Sequence, residues 1–134
     1  MPKGCKTYYE QEVERIFAHA QLAQKPYLQL RRSKQFMQTN YPKKISITQI
    51  AEAAFLSSSH YIRMFKQVYG ITPRQYLRDL RISKAKQLLQ DGSSATRACF
   101  EVGYESLTMF STAFKRATGV SPKKYQKMNL RNLE

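Results

Sequence analysis

The chain repeats itself. Phe65-Lys66-Gln67-Val68-Tyr69-Gly70-Ile71-Thr72-Pro73-Arg74-Gln75-Tyr76 returns as Phe114-Lys115-Arg116-Ala117-Thr118-Gly119-Val120-Ser121-Pro122-Lys123-Lys124-Tyr125, a separation of 49 residues. Phe, Lys, Gly, Pro and Tyr are identical, and Ile/Val, Thr/Ser and Arg/Lys are conservative exchanges. Upstream, Ala51 pairs with Cys99 at a separation of 48, so the second copy carries one extra residue in its turn. Each copy has the plan of a short helix, a tight turn and a longer helix. Two copies make a duplicated unit, because a solenoid needs three or more repeats.

Capping signals place the copies. Ser46-Ile47-Thr48-Gln49 has capping-box form and opens a short helix carrying Ile50, Ala51 and Ala54. Ser57 or Ser58 caps the next helix, which turns Tyr61, Met64, Phe65 and Val68 inward and ends at Gly70. Thr72-Pro73 starts a long helix that runs to Gln90. Asp91-Gly92-Ser93-Ser94 stops it and caps a short helix with Ala95, Ala98, Cys99 and Val102, ending at Gly103. Ser106 opens a helix with Phe110, Ala113 and Phe114 that ends at Gly119, and Ser121-Pro122 starts a final turn. Before the copies, 8–24 reads as an amphipathic helix with Tyr9, Val13, Ile16, Phe17 and Ala20 on one side. Pro26 is expected to end it, and a second helix with Leu28, Leu30, Phe36 and Met37 apolar runs from about Tyr27 to Asn40. No stretch alternates as a strand does. The expected fold is all-α: two helix-turn-helix subdomains (46–70 and 94–119) joined by a linker helix (73–90), with an N-terminal extension (1–26). The duplicated unit spans 27–127, and 128–134 forms a tail.

Charge narrows the partners. With 23 Lys and Arg against 9 Asp and Glu, the 134 residues carry a formal +14. Each third of the chain is net positive, so the surplus belongs to the fold and not to a tail. Double-stranded DNA is the leading partner, since cations at phosphates release condensed counterions. No apolar run is long enough for a membrane span. Met1-Pro2-Lys3-Gly4-Cys5-Lys6, followed by Glu10, Glu12 and Glu14, is no signal peptide, and two cysteines suit a reducing, cytoplasmic setting.

The chemistry of an enzyme is missing from the pattern. His19 and His60 are the only histidines, and Cys5 and Cys99 have no zinc spacing. His60 beside Ser57, Ser58 and Ser59 is explained by helix capping. No catalytic residue, cofactor site or metal site is expected. Cys99, in the place of Ala51, reads as a small buried hydrophobe.

A second helix of this kind enters the major groove with its N-terminal half toward base edges. Opposite the core stripe of the first copy lie Ser59, Ile62, Arg63 and Lys66. Arg63 suits a bidentate contact to guanine, Ile62 a thymine methyl, Ser59 a base or phosphate, and Lys66 a phosphate. The matching stripe of the second copy is Thr108, Ser111, Thr112 and Lys115, short and neutral apart from Lys115, with Leu107 and Met109 adding apolar contacts. The first helix is the stronger reader. Arg31 and Lys43, with Arg32, Lys34 and Lys44, are either phosphate contacts or solvated surface.

From about Tyr27 to Lys127 the chain resembles the AraC/XylS family of bacterial transcription regulators. The resemblance rests on an ordered set: Ile45-Ser46-Ile47, Ile50-Ala51, Leu56-Ser57, Phe65-Lys66, Gly70, Pro73, Tyr76-Leu77, Leu80-Arg81, Ala85 and Leu88-Leu89 in the first half. Val102-Gly103-Tyr104, Ser106, Phe110, Phe114-Lys115, Gly119, Ser121-Pro122 and Tyr125 carry the second. It implies binding to a bipartite, asymmetric promoter site, one helix in each of two successive major grooves, and activation through RNA polymerase. It also implies groove-facing roles for Ser59, Ile62, Arg63, Thr108, Met109 and Thr112. Two departures stand out. Phe55 occupies a turn position where the family often has Gly, implying a different turn packing. Thr112 stands where the family very often has the Arg that matches Arg63.

The expected function is a sequence-specific DNA-binding regulator and activator. The alternative is a non-specific architectural DNA-binding protein, favoured by the charge and the bland second stripe. A module working through 8–24 on a membrane surface or a protein is a third reading. A homodimer could form through residues 8–24 or through an N-terminal sensor domain missing from this sequence. Many family members carry a ligand-sensing domain before this region, for which 134 residues leave no room.

Overall fold

The computed structural model describes the backbone of residues 7–133 and the side chains of 7–15 and 25–129. Among the described residues there are seven helices and no strand: α1 (Tyr8–Asn40), α2 (Ile47–Ala53), α3 (Ser58–Tyr69), α4 (Pro73–Gln90), α5 (Ala95–Glu101), α6 (Leu107–Thr118) and α7 (Pro122–Leu133). The fold is all-α, with two helix-turn-helix units on a shared linker helix. Cys5 lies outside the described residues.

Local chemistry sets most boundaries. Ser46 and Thr72 form capping boxes with Gln49 and Gln75. Ser57, Ser94 and Ser106 each accept a backbone N–H of the helix they open. Gly70 and Gly119 end α3 and α6 at φ of 78° and 86°, a left-handed conformation that costs glycine nothing.

Two cores divide the molecule. Leu30, Met37, Ile50, Ala51, Ala54, Tyr61, Phe65 and Leu77 form the first. Ile82, Ala85, Leu89, Ala98, Cys99, Val102, Phe110 and Phe114 form the second. Cys99 is fully buried, and burial pushes its thiol pKa up, away from thiolate reactivity. The linker helix α4 supplies both cores, Leu77 to one and Ile82, Ala85 and Leu89 to the other.

The duplication therefore reaches further than the matching dodecapeptides. At a separation of 52, Leu30, Ser33 and Met37 of α1 correspond to Ile82, Ala85 and Leu89 of α4, all buried. Gln38 donates to the Tyr76 hydroxyl at 3.0 Å, and Gln90 to the Tyr125 hydroxyl at 2.8 Å. Phe65 meets Tyr76 edge-on at 5.8 Å, and Phe114 meets Tyr125 likewise at 5.3 Å. Each unit is thus four helices, and α4 is the last of one and the first of the other.

That plan corrects the expected final turn and the tail from 128. Ser121 accepts from the Lys124 N–H, and α7 runs twelve residues as the counterpart of α4. Gln126 ties it back by donating to the carbonyls of Leu89 and Ser93.

The expected break at Pro26, and with it a separate N-terminal helix and a boundary after residue 26, is also corrected. Helix α1 is continuous from Tyr8 to Asn40 with Pro26 inside it. Proline removes one hydrogen bond and crowds a carbonyl, yet its φ is itself helical. The helix is fixed on both sides, by a Thr7–Glu10 capping box and by Leu30, Ser33 and Met37 in the core. Leu30 and Met37 are buried as expected, whereas Leu28 is exposed and Phe36 only partly buried, and Ser33 completes the packed stripe. Tyr9 and Val13 are exposed too, and Ile16, Phe17 and Ala20 fall outside the described side chains. Val68, expected inward, is exposed at the edge of the α3 stripe.

Phe55 keeps the backbone of the turn and changes only its packing. It takes φ of 58°, left-handed like its counterpart Gly103 at 101°. Both turns bond alike: Leu56 N–H to the Ala51 carbonyl at 3.0 Å, and Tyr104 N–H to the Cys99 carbonyl at 3.1 Å. The side chain points to solvent, 71% exposed, under the Arg32 guanidinium at 5.5 Å.

Candidate nucleic-acid interface

The exposed faces of α3 and α6 are equivalent surfaces of the two units. Phe65 and Phe114 lock one side of each helix into its core, which turns the opposite side outward. On α3, Ser59, Ile62, Arg63 and Lys66 are all exposed. On α6, Thr108, Met109, Thr112 and Lys115 are exposed, and Ser111 is half-buried. Met109 is 62% exposed, a large apolar side chain with nothing packed over it.

Two recesses gather Arg63 on one face and Thr108, Met109 and Thr112 on the other, while Ser59 and Ile62 stand outside both. Arg63 shares a shallow one of about 180 Å³ with His60, Met64 and Gln67. Thr108, Met109 and Thr112 line a groove of about 500 Å³ between α6 and the start of α4. The far wall of that groove carries Arg74, Gln75 and Arg78, and its end carries Arg116. Lys66 and Lys115 stand in the last turns of α3 and α6, outside both recesses. Arg31 lies on exposed α1, where its charge bears on the Tyr69 hydroxyl, and Lys43 sits in the α1–α2 loop. Neither joins the recesses.

His60, Gln67, Arg74, Arg78 and Arg116 are the residues that sequence reasoning missed here. Gln67 lies one turn beyond Arg63, and Arg116 one turn beyond Thr112, so continuing each stripe by four residues finds both. Arg74 and Arg78 left no such signal, because their nearness to α6 is tertiary.

Positive charge on this side is largely uncompensated. Among the described residues, no acidic group pairs with Arg63, Lys66, Arg74, Lys115 or Arg116. Arg78 has Asp79 at 4.0 Å, a loose exposed contact of little energetic weight. Among the described residues no cluster of His, Cys, Asp or Glu is arranged to hold a metal ion. Among them, too, no helix is long and apolar enough to cross a membrane.

The units are set against each other at one junction. Arg81 of α4 donates from Nε to the Tyr41 carbonyl at 3.0 Å and from a terminal nitrogen to the Lys43 carbonyl at 3.1 Å. Its guanidinium lies 5.9 Å from the Tyr104 ring of the second unit, and burial lowers its pKa. Gly103 fits against the same place, where an added Cβ would stand 2.5 Å from the Tyr41 carbonyl oxygen. Tyr41 packs against both cores.

Two equivalent outward helix faces on a duplicated helix-turn-helix framework are the arrangement of a helix-turn-helix DNA-binding domain. A sequence profile described as a helix-turn-helix domain matches residues 50–128, and the chain belongs to the AraC/XylS family of transcription regulators. It is 37% identical over 95 residues to a probable transcriptional regulator, LumQ, of Photobacterium leiognathi, covering 68% of this chain and 37% of that one. It is 32% identical over 92 residues to the lactose operon transcription activator of Staphylococcus xylosus, covering 68% and 33%. Among solved structures, the C-terminal domain of AraT, a response regulator from Geobacillus stearothermophilus, superposes with a TM-score of 0.71. The identity there is 33%, over 75% of this chain and 84% of that one. The chain spans about a third of the length of these two curated relatives.

Proposed function

We propose that the protein is a cytoplasmic, sequence-specific regulator that reads a bipartite promoter site with α3 and α6 in successive major grooves. The carrying observation is that equivalent faces of both helices stand outward, with Arg63 uncompensated on one of them. Arg63 and Ile62 lead the base readout, with Ser59 beside them, and Thr108, Met109 and Thr112 meet the second half-site. Lys66, Lys115, Arg31 and Lys43 neutralise phosphates. Transcription activation through RNA polymerase is the regulatory outcome, supported by the likeness to the lactose operon activator. The exposed Tyr9 and Val13 support pairing of two copies through 8–24.

Selection from random duplexes at physiological salt tests the reading. Two enriched blocks about one helical turn (~10 bp) apart are expected. Retention without enrichment would replace it with architectural coating, and no retention would end it. Transcription from the selected site with purified polymerase then tests activation, and sedimentation of the full chain against a form lacking 1–25 tests pairing.

A further inference from the structure

We propose that the arginines of the groove between α6 and the start of α4 hold the sugar–phosphate strand that flanks the second half-site, a backbone anchor beside the bases that α6 meets. The inference rests on the DNA-binding reading above and assigns Arg74, Arg78 and Arg116 the central part. The repeat register carries the argument first. Arg63 of α3 corresponds to Thr112 of α6, whereas Gln67 corresponds to Arg116. The single arginine of α6 is therefore displaced one turn toward the C-terminus. A recognition helix meets base edges with its N-terminal half, so this shift takes the guanidinium off the bases.

Convergence carries it second. Arg74 and Arg78 are one turn apart on α4 and project into the groove that Arg116 lines from the other side. Three like charges in one groove of about 500 Å³ repel one another, and among the described residues Asp79, at 4.0 Å from Arg78, is the one acidic group paired with any of them. A strand bearing a regularly spaced negative charge relieves that repulsion at every phosphate. Guanidinium forks match phosphate oxygens in pairs. The groove runs along the exposed face of α6, as a strand beside a major groove requires.

The test measures binding of the full chain to a duplex of about 30 bp by fluorescence anisotropy between about 50 and 200 mM salt. Against wild type stands the triple variant Arg74→Ala, Arg78→Ala, Arg116→Ala, and duplex selection is repeated with Arg116→Ala alone. The expected result is a log–log salt slope shallower by about 2.7, from ~0.9 for each phosphate left without its arginine, with an unchanged selected motif. The Arg→Lys triple should restore most of the slope. Circular dichroism checks folding, and if the triple is unfolded, each single Ala variant should lower the slope by about 0.9. An unchanged slope overturns the proposal, as does a base preference that disappears with Arg116→Ala. Wild type that binds no duplex would instead sink the DNA-binding reading on which it rests.

Discussion

Arg81 donates a 3.0 Å hydrogen bond to the Tyr41 carbonyl, forty residues earlier in the chain and at the other end of the first unit. The same carbonyl oxygen faces Gly103 of the second unit. One peptide group thereby fixes where α1 ends, where α4 crosses it and how closely the second turn approaches. The bond is made by a charged, half-buried donor, the kind that contributes about 1.5–3 kcal/mol.

Gly103→Ala should be among the most damaging single-methyl additions in the protein. Its φ is 101°, and the new Cβ would meet backbone oxygen at 2.5 Å, with Pro42 and Arg81 at 3.1 and 3.2 Å. Strain and overpacking together should cost about 2–4 kcal/mol, read as a lower urea midpoint. Gly92→Ala is the control, since its Cβ meets nothing within 4 Å and only strain applies. Equal losses at the two sites would refute the close approach.

Tyr61→Phe should stabilise. The Tyr61 hydroxyl is fully buried beside Ser33 and makes no hydrogen bond of acceptable geometry, while Ser33 itself donates to the Leu30 carbonyl. The second unit carries Phe110 and Ala85 at these two places, an apolar version of the same contact. Removing the orphan hydroxyl should gain up to about 1 kcal/mol in thermal unfolding. Burial also pushes Tyr61 up to about 12 from an ordinary 10. A phenol with a raised folded pKa gives its full contribution below pH 10 and loses it as pH climbs through 12. Between those limits wild type should lose stability relative to the Phe variant, on the order of 3 kcal/mol.

Arg63→Ala and Lys66→Ala should fail in different ways. The first should cost about 1–3 kcal/mol on the selected site and relax preference at one base pair. The second should weaken all duplexes alike and lower the salt slope by about one. Uniform loss for Arg63→Ala would demote it to a phosphate contact.

Phe55→Gly should be more stable than Phe55→Ala by about 1 kcal/mol, because alanine keeps the left-handed strain and loses the ring. Neither variant keeps the ring beneath Arg32, so the difference isolates the backbone. Chemical denaturation reads it directly, and equal stabilities would remove the strain argument.

What was legible in the sequence follows from how far each interaction reaches along the chain. Caps at Ser46, Ser57, Thr72 and Ser106 act within three residues, so they were plain. The Phe65 and Phe114 anchors stood out because the repeat marked them twice. Leu28 and Val68 misled because a stripe edge looks the same to a periodic pattern whether or not a neighbour covers it. Pro26 misled because a propensity cannot weigh the anchoring of the helix on either side. The full extent of α7 was available from the repeat: Thr72-Pro73 begins eighteen residues of helix, and Ser121-Pro122 stands in the same place. The junction of Tyr41, Arg81 and Gly103 was invisible, since it joins residues tens of positions apart. The arginine groove stayed hidden for the same reason.

Leu77 and Ile82 sit five residues apart on α4, about 140° around its axis, and feed different cores. The two units are therefore geared by helical phase. Inserting one residue between them would swing the second unit through about 100° and advance it only ~1.5 Å. A flexible tether would let the distance between half-sites drift base pair by base pair over evolutionary time. A shared rigid helix forbids that drift, so on the proposed reading the exposed faces of α3 and α6 can engage a duplex in one fixed phasing only.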